Sequence, residues 1–185
     1  HSITPGHPEY RETPGVEATT GPLGQGIANA VGQALGMKIM ASKFNSAQHK
    51  IFTSKVYCLA GDGCLMEGVS SEASSFAAHL QLDNLVLIHD ANKITLDGDL
   101  NQCSSEDVVA RYKAYGFAVY QMNGNDLDSI DKTFKQIEED DPKTPIFIDC
   151  KTIIGKGSPP FVAPKKPIIF VIDLITCSTS PTRAH

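Results

Sequence analysis

A carboxylate set between two glycines, Gly61-Asp62-Gly63, is followed thirty residues later by an amide, Asn92. The pair offers one charged and one neutral oxygen, the hard donors that Mg²⁺ or Ca²⁺ selects. Glycine on either side of Asp62 lets backbone approach a charged phosphate group where a side chain would collide. The apolar run Val56-Tyr57-Cys58-Leu59-Ala60 leads into the first group. A second run, Asn84-Leu85-Val86-Leu87-Ile88-His89, leads into Asp90-Ala91-Asn92. Both runs read as strands, so both candidate ligands fall just past strand carboxyl ends, where open α/β sheets bind ligands. The chemistry this points to is a metal-bridged diphosphate.

The elements that must position these residues follow from the periodicity. Residues 1–22, rich in Pro, Gly and Thr, read as a surface loop. A helix is expected over 23–44, where Ile27, Ala30, Val31, Ala34 and Leu35 make an apolar stripe and Gly24, Gly26, Ala28, Gly32 and Gly36 permit close backbone approach. Strands are expected at 55–60, 85–89, 117–122 and 146–151, and helices at 67–80, 106–115 and 127–139. Alternation of strands and helices predicts an α/β fold: a doubly wound, mostly parallel sheet with helices on both faces.

Composition narrows the function class. With 185 residues, 41% of them hydrophobic, and a formal net charge of −5, the chain is long enough for one domain with a proper core. No basic stripe interleaved with aromatics points to nucleic acid, and no apolar run reaches membrane-spanning length. A cytoplasmic location is expected. A targeting segment stays open, because the chain starts at His1 rather than Met and reads as an excerpt of a longer protein. The five cysteines show no C-x-x-C spacing and predict neither a zinc site nor a disulfide framework. Cys58, Cys64 and Cys150 read as small buried hydrophobes. His79 and His89 read as structural.

With their flanks, Gly61-Asp62-Gly63-Cys64-Leu65-Met66-Glu67-Gly68 and Asp90-Ala91-Asn92-Lys93-Ile94-Thr95-Leu96-Asp97-Gly98 resemble the thiamine-diphosphate motif of transketolases. Three further blocks agree in order: Thr4-Pro5-Gly6-His7-Pro8-Glu9, Gly15 through Gly26 (with Gly21-Pro22-Leu23-Gly24), and Lys151 through Pro159. The resemblance covers residues 1–159. It implies Asp62, Asn92 and the Ile94 carbonyl as ligands of Mg²⁺ (or Ca²⁺), and Gly63 as an amide donor to the diphosphate of thiamine diphosphate. By the same resemblance Gly21, Pro22 and Leu23 line the aminopyrimidine, His7 faces the donor sugar phosphate, and Glu67 sits at a homodimer interface linking two cofactor sites. Asp90 precedes Ala91 where the family often has two acids, so whether its carboxylate serves the thiazolium stays open. The implied activity is transfer of a two-carbon ketol unit from a ketose phosphate to an aldose phosphate. A dihydroxyacetone synthase relative, or a fragment acting only as a binding module, is the alternative.

The implied partner is the pyrimidine-binding domain of a second subunit, which the family carries beyond this domain. In the family, the Gly-Ser-Pro element is followed by a loop with a histidine and a His-Gly-Ala-Pro segment; here residues 160–185 hold no histidine before His185. That tail is expected to be an atypical segment outside native family sequence, the alternative being a divergent last strand.

Overall fold

Alternating Val, Ile, Leu and Phe give each central strand two apolar faces, so the sheet must be covered on both sides. The computed structural model describes residues 9–95, 98–157 and 173–178. The chain runs β1 (Ala18–Thr20), α1 (Gln25–Phe44), β2 (Lys55–Gly61), α2 (Asp62–Met66), α3 (Gly68–His79) and β3 (Leu85–Ala91). It continues through β4 (Ile94–Thr95), β5 (Gly98–Asp99), a 3₁₀ turn at Leu100–Gln102 and α4 (Val108–Tyr115). Last come β6 (Ala118–Asn123), α5 (Leu127–Asp140), β7 (Ile146–Lys151) and β8 (Asp173–Ser178).

Six strands form one sheet in the order β1-β8-β2-β3-β7-β6, and β4 pairs with β5 in a small separate ribbon. Strands β2, β3, β7 and β6 are parallel to one another, while β8 runs antiparallel to both β1 and β2. On one face Val56, Cys58, Ala60, Leu85, Leu87 and Phe147 pack against Ile27, Ala30 and Val31 of α1, Ala77 of α3 and Tyr112 of α4. On the other, Val86, Met122, Ile146, Ile148 and Cys150 pack against Ile130, Phe134 and Ile137 of α5. Helices therefore cover both faces of a mostly parallel sheet, the doubly wound arrangement expected from the alternation.

Local chemistry sets the ends of these elements. The Asp107 carboxylate accepts from the Ala110 amide, so α4 begins after it and not at 106. Gly116, at φ 101, ends the same helix in the left-handed conformation that glycine tolerates. The helix expected over 67–80 is α3, within one residue at each end; the short helix α2 precedes it, divided from it by the extended Glu67 (φ −70, ψ 139). The loop expected up to residue 22 contains the three-residue strand β1, and the tail supplies β8. Residues 158–172 and 179–185, most of that tail, lie outside the described residues. Cys58, Cys64 and Cys150 are buried, as expected of small hydrophobes.

At the centre of the first face, the rings of Tyr112 and Phe147 stack with centroids 3.8 Å apart, and Phe147 is fully buried. Replacing Phe147 with Ala should lower the unfolding free energy by about 3–5 kcal/mol, the range for emptying a buried aromatic position. Urea denaturation of the two proteins reads this directly; a loss below about 1 kcal/mol would show that the face repacks around the missing ring.

Candidate functional site

The site begins where β2 and β3 end. Asp62 is the first residue of α2 and only 6% exposed. Its two carboxylate oxygens are held from the β3 side: Oδ1 faces His89 Nε2 at 3.0 Å, and Oδ2 accepts the Lys93 backbone N–H at 3.0 Å. Lys93 adopts φ 63, a left-handed turn that follows directly on Asn92. Asn92 is itself oriented. Its Nδ2 donates to Asp90 Oδ2 at 2.9 Å, and its Oδ1 accepts the Ile94 N–H at 2.9 Å. Asp90 is fixed in turn by the Thr152 hydroxyl at the end of β7. Asp90 thus orients Asn92.

Gly63 shows why a side chain is excluded beside Asp62. A Cβ there would meet Thr95 Oγ1 at 2.6 Å and Leu23 Cδ1 at 3.4 Å. Leu23, Gly63 and Thr95 thus converge from three separate segments. One residue further, Gly24 adopts φ +78, and a Cβ on it would lie 2.7 Å from both Glu67 Cβ and Ser70 Oγ. Loop 21–24 is seated on the junction of α2 and α3 by two glycines that nothing larger replaces.

Of the residues singled out in the sequence, Asp62, Asn92, Ile94, Gly63 and Leu23 are brought together. Gly21 and Pro22 are exposed at the entry to the same loop. Glu67 is exposed and occupies the N-cap position of α3 without capping it by its side chain. Arg111 braces this junction from α4, donating to the Leu65 carbonyl at 2.8 Å and to Ser71 Oγ at 2.9 Å. His7 lies outside the described residues. Sequence reasoning passed over His89, Asp149, Thr95 and Thr152. A histidine read as structural proves to touch the candidate ligand Asp62. The available signal was its position, three residues before Asn92 at the end of a ligand-bearing strand.

The donor set suits a hard cation whose coordination is completed by a ligand's own oxygens. Among the described residues, no three His, Cys, Asp or Glu side chains form a metal cage. One carboxylate and one neutral amide oxygen are compatible with a Mg²⁺ that takes its other ligands from phosphate groups. A surface hollow of about 500 Å³, lined by Gln121, Asn123, Lys151 and Lys156 among others, lies beside this site and includes neither Asp62 nor Asn92.

His89 is 3% exposed, and its Nδ1 lies 3.1 Å from Asp149 Oδ1. Burial alone would lower its pKa. The hydrogen bonds and charges of Asp149 and Asp62 outweigh burial and raise it from 6.5 to about 9. The His89 hydrogen bond, working against partial burial, holds the Asp149 carboxyl below the usual range. A raised histidine stabilises the fold fully below its unfolded pKa and loses that contribution as pH rises through the folded one. In metal-free protein the thermal midpoint should therefore fall between pH 6.5 and about 9. The depressed Asp149 acts oppositely, its contribution vanishing on acidification. Thermal melts of native protein and a His89→Leu variant across this range check the assignment, because the variant should lose the alkaline slope.

A family model described as "Transketolase, thiamine diphosphate binding domain" matches residues 1–166. The chain is 51% identical over 160 residues to a transketolase of Dictyostelium discoideum, covering 86% of this chain and 24% of that protein. It is 54% identical over 159 residues to a transketolase of Staphylococcus epidermidis, again covering 24% of the relative. Among solved structures, a Pichia stipitis transketolase variant superposes with a TM-score of 0.76 at 46% identity, over 86% of this chain and 24% of that one. The Campylobacter jejuni enzyme gives 0.73 at 46%, over 85% and 24%. The chain thus spans about a quarter of the length of the relatives it matches. With the Asp62–Asn92 pair at two strand ends and a family match along most of its length, the chain belongs to the transketolase family, in the part that the family model describes as its thiamine diphosphate-binding domain.

Proposed function

We propose that this domain binds thiamine diphosphate through Mg²⁺ (or Ca²⁺), as part of a transferase that moves a two-carbon ketol unit from a ketose phosphate to an aldose phosphate. The observation that carries the reading is the bond from the Lys93 amide to Asp62 Oδ2, which brings the ends of β2 and β3 together at one charged oxygen site. Asp62 and Asn92 would hold the cation through side-chain oxygens and Ile94 through its carbonyl. The Gly63 amide would donate to the diphosphate. Gly21, Pro22 and Leu23 would line the aminopyrimidine, where the Leu23 side chain already meets Gly63. When bound, thiamine diphosphate supplies the carbanion-stabilising chemistry of the transfer.

The remaining roles follow from family membership. His7 would face the hydroxyls of the donor sugar phosphate. Glu67 would meet a second subunit at a homodimer interface, a role its exposure supports. The pyrimidine-binding domain of that subunit would complete the site. A cytoplasmic setting fits an enzyme acting on soluble sugar phosphates.

Because the chain spans 24% of its relatives, the direct test reads cofactor binding and not turnover. Thiamine diphosphate titrated in excess Mg²⁺, followed by calorimetry, should bind the native chain and lose at least about 10-fold in affinity with Asp62→Asn, since even residues behind a metal ligand cost that much. EDTA should abolish the same binding. An Asp62→Asn midpoint equal to that of the native chain would remove Asp62 from the metal site.

A further inference from the structure

We propose that His89 and Asp149 form a positioning pair behind the metal-site carboxylate, with His89 fixing the orientation of Asp62 and Asp149 holding His89. The proposal rests on the reading of Asp62 as a cation ligand and adds two residues to it. Neither residue belongs to any motif through which the chain resembles its family.

The pair is written into the register of the sheet. Ala60 of β2, His89 of β3, Asp149 of β7 and Gln121 of β6 are successive partners across four parallel strands. Such a row shares one face of a parallel sheet. On that face, two residues beyond Ala60, stands Asp62. The hydrogen bonds follow the row: Gln121 Nε2 to Asp149 Oδ2 at 3.1 Å, Asp149 Oδ1 to His89 Nδ1 at 3.1 Å, and His89 Nε2 to Asp62 Oδ1 at 3.0 Å. The imidazole also stacks on Phe147, with centroids 5.9 Å apart, so its ring plane is set by packing as well as by bonds.

This geometry leaves Asp62 little freedom. Each carboxylate oxygen already accepts one donor, His89 on Oδ1 and the Lys93 amide on Oδ2, so the plane of the group is fixed and one lone-pair direction per oxygen remains. A ligating carboxylate held this way meets the cation without first paying for ordering. Stability alone explains the row poorly, since a buried set of charges is often no better for folding than an apolar one of equal volume. The hydrogen bonds of Asp149 go to His89 and Gln121, and the bond to Asp62 comes from His89. Its orienting effect on the Asp62 carboxylate therefore passes through His89.

Two amides separate the two bonds of the imidazole, because a Gln nitrogen falls near the Nε2 position and an Asn nitrogen near Nδ1. His89→Gln keeps the donor to Asp62, and His89→Asn keeps only the donor to Asp149. Mn²⁺ is titrated into the 185-residue chain with thiamine diphosphate present, and free Mn²⁺ is read by its EPR signal. Expected are a 10–100-fold weaker Mn²⁺ affinity for His89→Asn and for Asp149→Leu, and near-native affinity for His89→Gln. Adding Asp149→Leu to His89→Asn should cost nothing further, since the second residue acts through the first.

The Gln and Asn variants bury amides of similar size, so a merely structural role would affect them alike. Thermal melts confirm that each variant compared is folded. Native-like Mn²⁺ uptake by His89→Asn, with Asp62→Asn still defective, would overturn the pair and leave the cation site standing. Additive losses in the double variant would overturn the route from Asp149 through His89. Absence of Mn²⁺ uptake by the native chain, unchanged in Asp62→Asn, would sink the cation-site reading and the pair together.

Discussion

The arrangement depends on one carboxylate that two strands must share. Asp62 directly follows β2, yet both bonds to its oxygens come from β3 and the turn after it. Parallel strands cannot be joined by a tight turn, so their carboxyl ends are brought together by the sheet and not by the local chain. The ladder between β2 and β3 pairs Gly61 with Asp90, which delivers Asp62 opposite the Ala91–Lys93 segment. From there the left-handed Lys93 turns its amide onto Asp62, and Asn92 is presented with its amide already oriented by Asp90. A shift of register by one residue would exchange the faces of the whole strand and separate the two ligands.

Close approach is the second constraint, and it is met by removing side chains. Gly63 allows Leu23 and Thr95 to meet beside Asp62, and Gly24 allows the loop before α1 to sit on Glu67 and Ser70. These contacts link the N-terminal loop, the β2–α2 turn and the β4–β5 ribbon. The helix that follows this loop, α1, is anchored in the main core by Ile27, Ala30 and Val31. A site assembled from three loops is held more precisely when such anchors lie within a few residues of it. Arg111 extends the same bracing to α4.

The elements that carry strong periodicity were legible in the sequence: β7 was expected at its observed bounds, and α1, β2, β3 and α5 within two residues of theirs. The placing of the candidate donors Asp62 and Asn92 just past two strand ends was legible for the same reason, because an apolar strand that runs into Gly or Asp leaves a clear pattern. What was not legible is pairing at a distance. Nothing around Asp149 announces that its register partner is His89, sixty residues earlier. The short helix α2 was likewise not marked, since the five residues Asp62–Met66 are too few to show a helical period. Strand β1 has only three residues and pairs only with β8, so no local alternation could mark it.

The charges in the row also bear on the proposed cation site. Both nitrogens of His89 face carboxylate oxygens, which accept and do not donate, so the ring is held as an imidazolium. Within this row, the carboxylates of Asp62 and Asp149 and one imidazolium leave one net negative charge. A polyanionic diphosphate would be repelled by that charge at close range. A divalent cation on Asp62 reverses its sign and converts the same position into an attractive one. Asp149, two residues from the end of β7, thus influences the field at the loops through His89, and the apolar layer of Phe147 and Tyr112 beside it keeps water from screening the effect.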